Sequence, residues 1–359
     1  MRSIVILFAT ALIFGTSGCN KDHCDDGKHN QDETGVDCGG LKCKPCEDCF
    51  DGIKNQGETE VDCGGPCKAC DLKWAQVRSG THKLKSIDYY NNVVVAVGSN
   101  GLVVKSSDLG KTWSELTSGT TEELMSVHVL DESNYFVCGN SDLILVSKDG
   151  NSFSSYNTTK SSNWKDIYFY HPDSGVVCGS KMRIMFTDDG GKSWTERVLP
   201  KPTSAYSFIT MNFLNADEGY AIGGTELLRT LDGGKNWSPI DAFRITEDFK
   251  NFTDIHFKTT SDVYCITESG MFISRNSVVW ADKLLDVGGG KITFNKQMGL
   301  YTGRNSGKSE GKVLISSDGG IRWQNQVIDN SIEFTDGLVI SEDVMLAVGD
   351  KGSIFRRDK

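Results

Sequence analysis

The stretches TDDGGKSW (187–194) and TLDGGKNW (230–237) decide the fold, because they are two copies of one motif, Ser/Thr-x-Asp-x-Gly-x-x-Trp, that returns along most of the chain. Further copies read SSDLGKTW (106–113) and SSDGGIRW (316–323), and two shortened ones read SKDGNSF (147–153) and SRNSVVW (274–280). Their aromatic residues, Trp113, Phe153, Trp194, Trp237, Trp280 and Trp323, stand 40, 41, 43, 43 and 43 residues apart. Asn276 replaces the aspartate in the copy ending at Trp280, yet the frame holds. A period of this length fits propeller blades, each a small antiparallel sheet.

Upstream of each motif lies a β-branched or aromatic run, such as VVVAVG ending at Gly98, YFVCG ending at Gly139, or GYAIGG ending at Gly224. Such runs are strands by composition, and the glycines that close them are turn signals. No segment shows a helical period. Counting the runs, including VMLAVG ending at Gly349, yields seven blades, one more than the motifs. The missing motif locates the ring closure. The chain stops at Lys359, before a seventh aromatic could follow Gly349, whereas Trp74 lies 39 residues ahead of Trp113 and in frame. The strand around Trp74 is therefore expected to complete the last blade, which removes the open edges of a linear array. The expected fold is all-β: a seven-bladed β-propeller over 73–359 with N-terminal strand closure.

The first 72 residues have a different character. Arg2, an apolar run over 4–14 and small residues up to Gly18 have the layout of an export signal, too short to span a bilayer. Small residues directly before Cys19 resemble the lipobox of bacterial lipoproteins, although Thr16 stands where a branched aliphatic is usual. That resemblance implies a signal peptide at 1–18, a lipid on Cys19, and a membrane as one partner. Asn20 favours the outer membrane over retention in the inner one, with the periplasmic and surface-facing orientations both open.

Residues 19–72 read as a cysteine-rich stalk of two repeats, 24–46 and 49–70. Each has Val-Asp-Cys-Gly-Gly at its centre and Cys-x-x-Cys at its end, with cysteines 24, 38, 43 and 46 in the first and 49, 63, 67 and 70 in the second. So few aliphatic side chains build no core without staples, so Cys24, Cys38, Cys43, Cys46, Cys49, Cys63, Cys67 and Cys70 are expected as two disulfides per repeat, in a pairing left open. Thiolates in an oxidising compartment pair with one another in preference to zinc. Asp26, Asn30, Glu33 and Asp37, matched by Asp51, Asn55, Glu58 and Asp62, could supply calcium ligands; the competing reading is that they cap turns and keep the stalk soluble. No other cofactor is expected. The repeats resemble short cysteine modules of marine and gliding bacteria, a likeness that implies no activity.

The formal net charge is −10, and six lysines against thirteen acids over 20–72 account for about −7 of it. No basic face is indicated, so nucleic acid is not an expected partner. The chain is expected to be monomeric.

The motif aspartates Asp108, Asp149, Asp189, Asp232 and Asp318 invite a catalytic reading. A carboxylate two residues before a glycine accepts N–H bonds from its own turn, and a ring needs no five copies of a catalytic acid, so the structural reading is the stronger. His128 and His256 fall at corresponding places on inner strands and read as wall residues, as does His171 at similar spacing. Cys138, Cys178 and Cys265 read as buried thiols that stay reduced. Loops on one rim, among them 99–101, 140–142, 180–182, 224–226 and 350–351, are the places for a ligand. The longest, RNSGKSEG (304–311), makes Arg304, Asn305, Lys308 and Glu310 a candidate binding loop, against the alternative of a tolerated insertion.

The motif is the Asp-box of BNR-type repeats. The whole unit, from a Val-Gly strand to Ser/Thr-x-Asp-Gly-Gly-Lys-x-Trp, resembles the β-propeller family of the photosystem II assembly and stability factors over roughly 73–359. The resemblance implies a scaffold rather than chemistry. Sialidases also carry the Asp-box, but the arginine triad and Arg-Ile-Pro motif of that family are missing: Arg183-Ile184 runs on to Met185. The expectation is a non-enzymatic, membrane-anchored binding or assembly scaffold for a protein, peptide or glycan. A sialidase-type glycan hydrolase and a purely structural envelope lipoprotein are the alternatives.

Overall fold

The computed structural model describes residues 73–199, 207–223, 226–240, 252–275, 284–308, 310–326, 328–329 and 331–358. The chain divides into two units, 1–70 and 71–359, and the described residues all lie in the second. Cys19, the eight stalk cysteines, the eight candidate calcium ligands and Trp280 lie outside the described residues.

Seven antiparallel sheets make up the described part, six of them built from consecutive strands, as the repeat frame requires. Blade one runs outward from the axis through Leu84–Tyr90, Val93–Gly98, Val103–Ser106 and Ser114–Leu116. The inner strands of blades two to six are Leu124–Val129, Trp164–His171, Phe208–Phe213, Phe252–Phe257 and Val287–Asn295. Blade five shows three strands among the described residues and the others four. Blade seven runs through Phe334–Val339, Met345–Gly349 and Ile354–Asp358, and its outermost strand is the first described one, Lys73–Arg78. That strand pairs with the last in register Trp74 to Arg357, so the two ends of the ring share one sheet. The all-β, seven-bladed propeller closed by its N-terminal strand is the fold.

The core is not one body but seven layers, one per interface between neighbouring blades. Second strands are buried on both faces, which is why Val93–Gly98 and Tyr135–Gly139 are continuous apolar runs without alternation. Burying each such Val or Phe is worth roughly 1.5–3 kcal/mol, repeated around the ring. The Asp-box aromatics belong to these layers: Phe153 packs at the interface of blades one and two, Trp194 at two and three, Trp237 at three and four. Trp113 seals the interface of blades seven and one, and Trp74 that of six and seven.

One irregularity recurs in every inner strand. The register skips Lys85, Met125, Lys165, Ile209, Thr253 and Thr335 in six blades, and skips two residues, Gly289 and Gly290, in blade six. A bulge re-aims the side chain that follows it. Here it brings Ser86, Ser126, Asp166, Thr210, Asp254, Lys291 and Asp336 into one layer on the wall of a central channel of about 290 Å³.

Candidate functional site

The most regular acids are consumed by their own turns. Asp108 accepts from the Ser106 hydroxyl (2.7 Å), the Thr112 amide (2.9 Å) and the Thr112 hydroxyl (2.6 Å). Asp189 repeats this with Thr187 and Ser193, Asp232 with Thr230 and Asn236, and Asp318 with Ser316 and the Arg322 amide. The shorter copy at Asp149 uses Ser147, Asn151 and Ser152. Burial works against the Asp108 charge, but the bonds from Thr112 and Ser106 outweigh it and hold the carboxyl at about 2. A carboxylate so engaged is a poor general acid.

The box glycine does a second job. Gly234 has φ +87, and a Cβ there would stand 2.4 Å from a Val176 methyl of the preceding blade. Both conditions exclude a side chain, so the turn wedges between blades. Just beyond it, the indole N–H groups of Trp113, Trp194, Trp237 and Trp323 donate to the carbonyl of that second box glycine, at 3.0–3.1 Å.

A second set of polar residues lines the channel, and sequence reasoning did not single them out. Asp336 accepts the Ile87 amide (3.2 Å), joining blade seven to one. Asp88 accepts the Val129 amide (2.7 Å), joining one to two, and the Ser126 hydroxyl donates to Asp166 (2.7 Å), joining two to three. Asp166 in turn accepts the Met211 amide (2.8 Å), joining three to four, and Asn212 accepts the Phe257 amide (3.1 Å), joining four to five. Asp254 accepts the Ile292 amide (2.9 Å), joining five to six, and the Asn295 amide group donates to the Ile340 carbonyl (2.8 Å), joining six to seven. All seven interfaces are thus pinned by a side chain at the axis. The sequence signal was a polar residue in the same place of each inner strand, as in KSIDYY, MSVHV and TDIHF.

The histidines on these strands are wall residues with partners. His128 stands 3.1 Å from Asp88 on one side and 2.7 Å from the Phe169 carbonyl on the other, spanning blades one to three. Burial, with the charge of Lys258, lowers His256 to about 4, so it is neutral in the wall. His171 lies away from the channel, at the end of its strand and largely exposed. Cys138, Cys178 and Cys265 are free and fully buried, and burial pushes their thiols well above the usual range. Among the described residues, no group of three or more His, Cys, Asp or Glu side chains is placed to hold a metal.

Of the short loops picked out by sequence, 99–101, 140–142, 180–182 and 350–351 share one rim, and residues 224–225 lie outside the described residues. The hairpins after the second strands bond to the residue ahead of their own inner strand: Ser99 to Lys83, Asn140 to Glu123, Ser180 to Asn163 and Asp350 to Glu333. Charge pairs cross this rim between blades, with Lys83 Nζ at 2.8 Å from Glu333 and 3.1 Å from Asp350, and Lys85 at 2.7 Å from Glu123. Arg304 pairs with Glu268 of blade five and reaches Glu333 of blade seven at 4.0 Å. Asn305 donates to Glu310 (3.1 Å), and Lys308 lies 3.9 Å from the same carboxylate with most of its side chain exposed. The four residues of the candidate loop are therefore together. Beside them opens a groove of about 480 Å³ lined by Asn305, Glu310, Lys312, Asn325, Gln326 and Ile328 among others.

Residues 147–244 match the family model described as photosynthesis system II assembly factor YCF48. The photosystem II assembly lipoprotein Ycf48 of Synechococcus sp. (strain CC9902) is 35% identical over 94 residues, covering 23% of this chain and 28% of the relative. The chloroplastic photosystem II stability/assembly factor HCF136 of Arabidopsis thaliana is 35% identical over 81 residues, covering 21% of this chain and 20% of the relative. The chain thus matches less than a third of either relative's length. Both are named for assembly or stability and neither as an enzyme. A solved structure described as YCF48 bound to D1 peptide superposes with a TM-score of 0.65 at 19% identity, over 86% of this chain and 99% of that one. With the repeat, the closure and these similarities together, the chain carries a seven-bladed β-propeller that is similar, over residues 147–244, to the photosystem II assembly factors.

Proposed function

We propose that this protein is a non-enzymatic binding or assembly scaffold of the cell envelope, exported, anchored by a lipid on Cys19, and using the hairpin rim of its propeller to hold a protein or peptide. The observation that carries the reading is the fate of the regular polar residues. The box acids serve their turns and the channel acids serve the blade interfaces, which leaves the rim as the surface with exposed charged groups beside a groove. A ring of similar fold has been described with a peptide bound, which supports a peptide or protein over a glycan here. Blade six adds the longest loop to that rim, and departures from a repeat are where ligand surfaces are placed.

A photo-crosslinking residue placed at Lys308 in native cells should capture one protein in the membrane fraction, while the same probe at Lys111 beside an Asp-box should not. Lys308→Glu should lower capture by a partner probe at Gln326 at least about fivefold, the loss expected of a close charge contact. Equal adducts from both rims, or none, would sink the proposal. Turnover of sialylated or other glycans by the purified chain would replace it with the hydrolase reading.

A further inference from the structure

Blade six breaks the repeat at the axis. Where the other blades place Ser86, Ser126, Asp166, Thr210, Asp254 and Asp336 after the bulge, this one places Lys291. The bulge itself is built for it. Gly290 has φ +99, and a Cβ there would lie 2.1 Å from the Thr302 carbonyl oxygen, while the Gly289 carbonyl accepts the buried Tyr301 hydroxyl at 2.6 Å. Gly289 and Gly290 are thus folded away opposite Gly303, so that Lys291 arrives in the channel layer, on the same wall as Asp166, Asp254 and Asp336.

We propose that Lys291, Asp166, Asp254 and Asp336 form an ionic hub that ties the ring across its axis, and that the grip of this hub on the blades depends on pH. Each acid already fastens an inner strand: Asp166 that of blade four, Asp254 that of blade six and Asp336 that of blade one. Three like charges converge in one narrow channel, and a single ammonium offsets them. Burial alone would push Lys291 down, but the fields of Asp336, Asp166 and Asp254 outweigh it and raise it above its ordinary value. Burial lifts Asp254 to about 7, the charges of Asp336 and Asp166 adding to the rise and Lys291 and the Ile292 amide opposing it. Asp336 is also raised, chiefly by burial.

Other groups face the same channel or stand behind its wall. Ser86, Ser126 and Thr210 complete the layer without charge, and the thiols of Cys138, Cys178 and Cys265 stay protonated behind it. One layer along the channel lie the Asp88–His128 pair and the neutral His256. Lys291, with its pKa raised, contributes fully at every pH below its unfolded value of 10.5. Asp254 behaves differently. Its folded carboxyl holds a proton that the unfolded chain gives up near 3.8, so stability falls as pH rises from there through about 7.

Thermal unfolding of the full chain, followed by circular dichroism at pH 5.5 and pH 8, separates this from simple packing. Lys291→Met should lower Tm by at least about 5 °C more at pH 8 than at pH 5.5, since Asp254, which it leaves behind, gives up its proton at about 7, between the two. Asp254→Asn should flatten the wild-type fall in Tm between the two, and the double variant should recover part of the Lys291→Met loss at pH 8. Lys291→Arg, which keeps the charge, should retain the wild-type profile. If Lys291→Met folds only at pH 5.5, unfolding on titration upward supports the hub. A Tm loss equal at both pH values, or no rescue by Asp254→Asn, would overturn it. The readout is stability alone, so the result is independent of what the rim binds.

Discussion

At the scale of the residue, this protein repeats one lesson: a carboxylate in a regular position is there for its neighbours' N–H groups. Asp189 takes the Ser193 amide and hydroxyl and the Thr187 hydroxyl, and its carboxyl is held low because those bonds outweigh burial. Asp189→Ala should cost about 1–2 kcal/mol in equilibrium denaturation, the range for losing a side chain that caps a turn. Ligand binding at the opposite rim should be unchanged. A loss of binding with stability intact would mean that the box touches the partner. The lowered carboxyls also set a sign: their stabilising effect is present above the unfolded value of 3.8 and fades as pH falls through about 2 at Asp108. Motif spelling made the box residues legible in advance. It did not reveal Asp88, Asp166, Asp254 or Asp336, because an aspartate in a strand acquires its meaning only from the amide that the next blade presents.

At the scale of the element, the closing strand differs from the strands it imitates. Trp74 occupies the place of a box tryptophan and packs at the interface of blades six and seven, yet its indole N–H is buried without a partner among the described residues. The sequence ahead of it, KACDLK (68–73), spells no box and has no glycine in the place from which Gly110 offers its carbonyl to Trp113 at 3.0 Å. Trp113→Phe should therefore destabilise by about 1 kcal/mol more than Trp74→Phe, the worth of one net hydrogen bond. Equal losses in matched urea titrations would mean that packing alone decides both positions. The strand itself was legible from its spacing to Trp113. The weakness of its anchoring was not, because the spacing says where an indole falls and not what stands opposite its N–H.

At the scale of the whole molecule, ring closure converts seven weak sheets into one body. Lys73–Arg78 covers the edge of Ile354–Asp358, whose backbone groups would otherwise stand open to another chain. Arg78 adds a bond to the Gly352 carbonyl (2.7 Å) and a pair with Glu115 of blade one (2.6 Å), so the closing strand also grips the first blade. A chain beginning at residue 79 should elute as aggregates in size-exclusion chromatography where one beginning at 73 elutes as a single species. A single species from both would show that blade seven tolerates an open edge.

Period, strand composition and turn glycines by themselves determined the seven-bladed architecture and the frame in which its ends meet. They could do so because a repeat must satisfy the same local rules in every copy: an apolar second strand, a glycine that admits the preceding blade, and an acid for the turn. Tertiary structure alone decided what lies at the axis. The channel layer exists because seven bulges, each invisible in its own strand, aim one residue apiece at a common line. The charge of Lys291 matters there because three acids far apart in sequence converge on it. Long-range convergence has no local signature, so the residues that hold the ring together across its centre could be known only once the ring was closed.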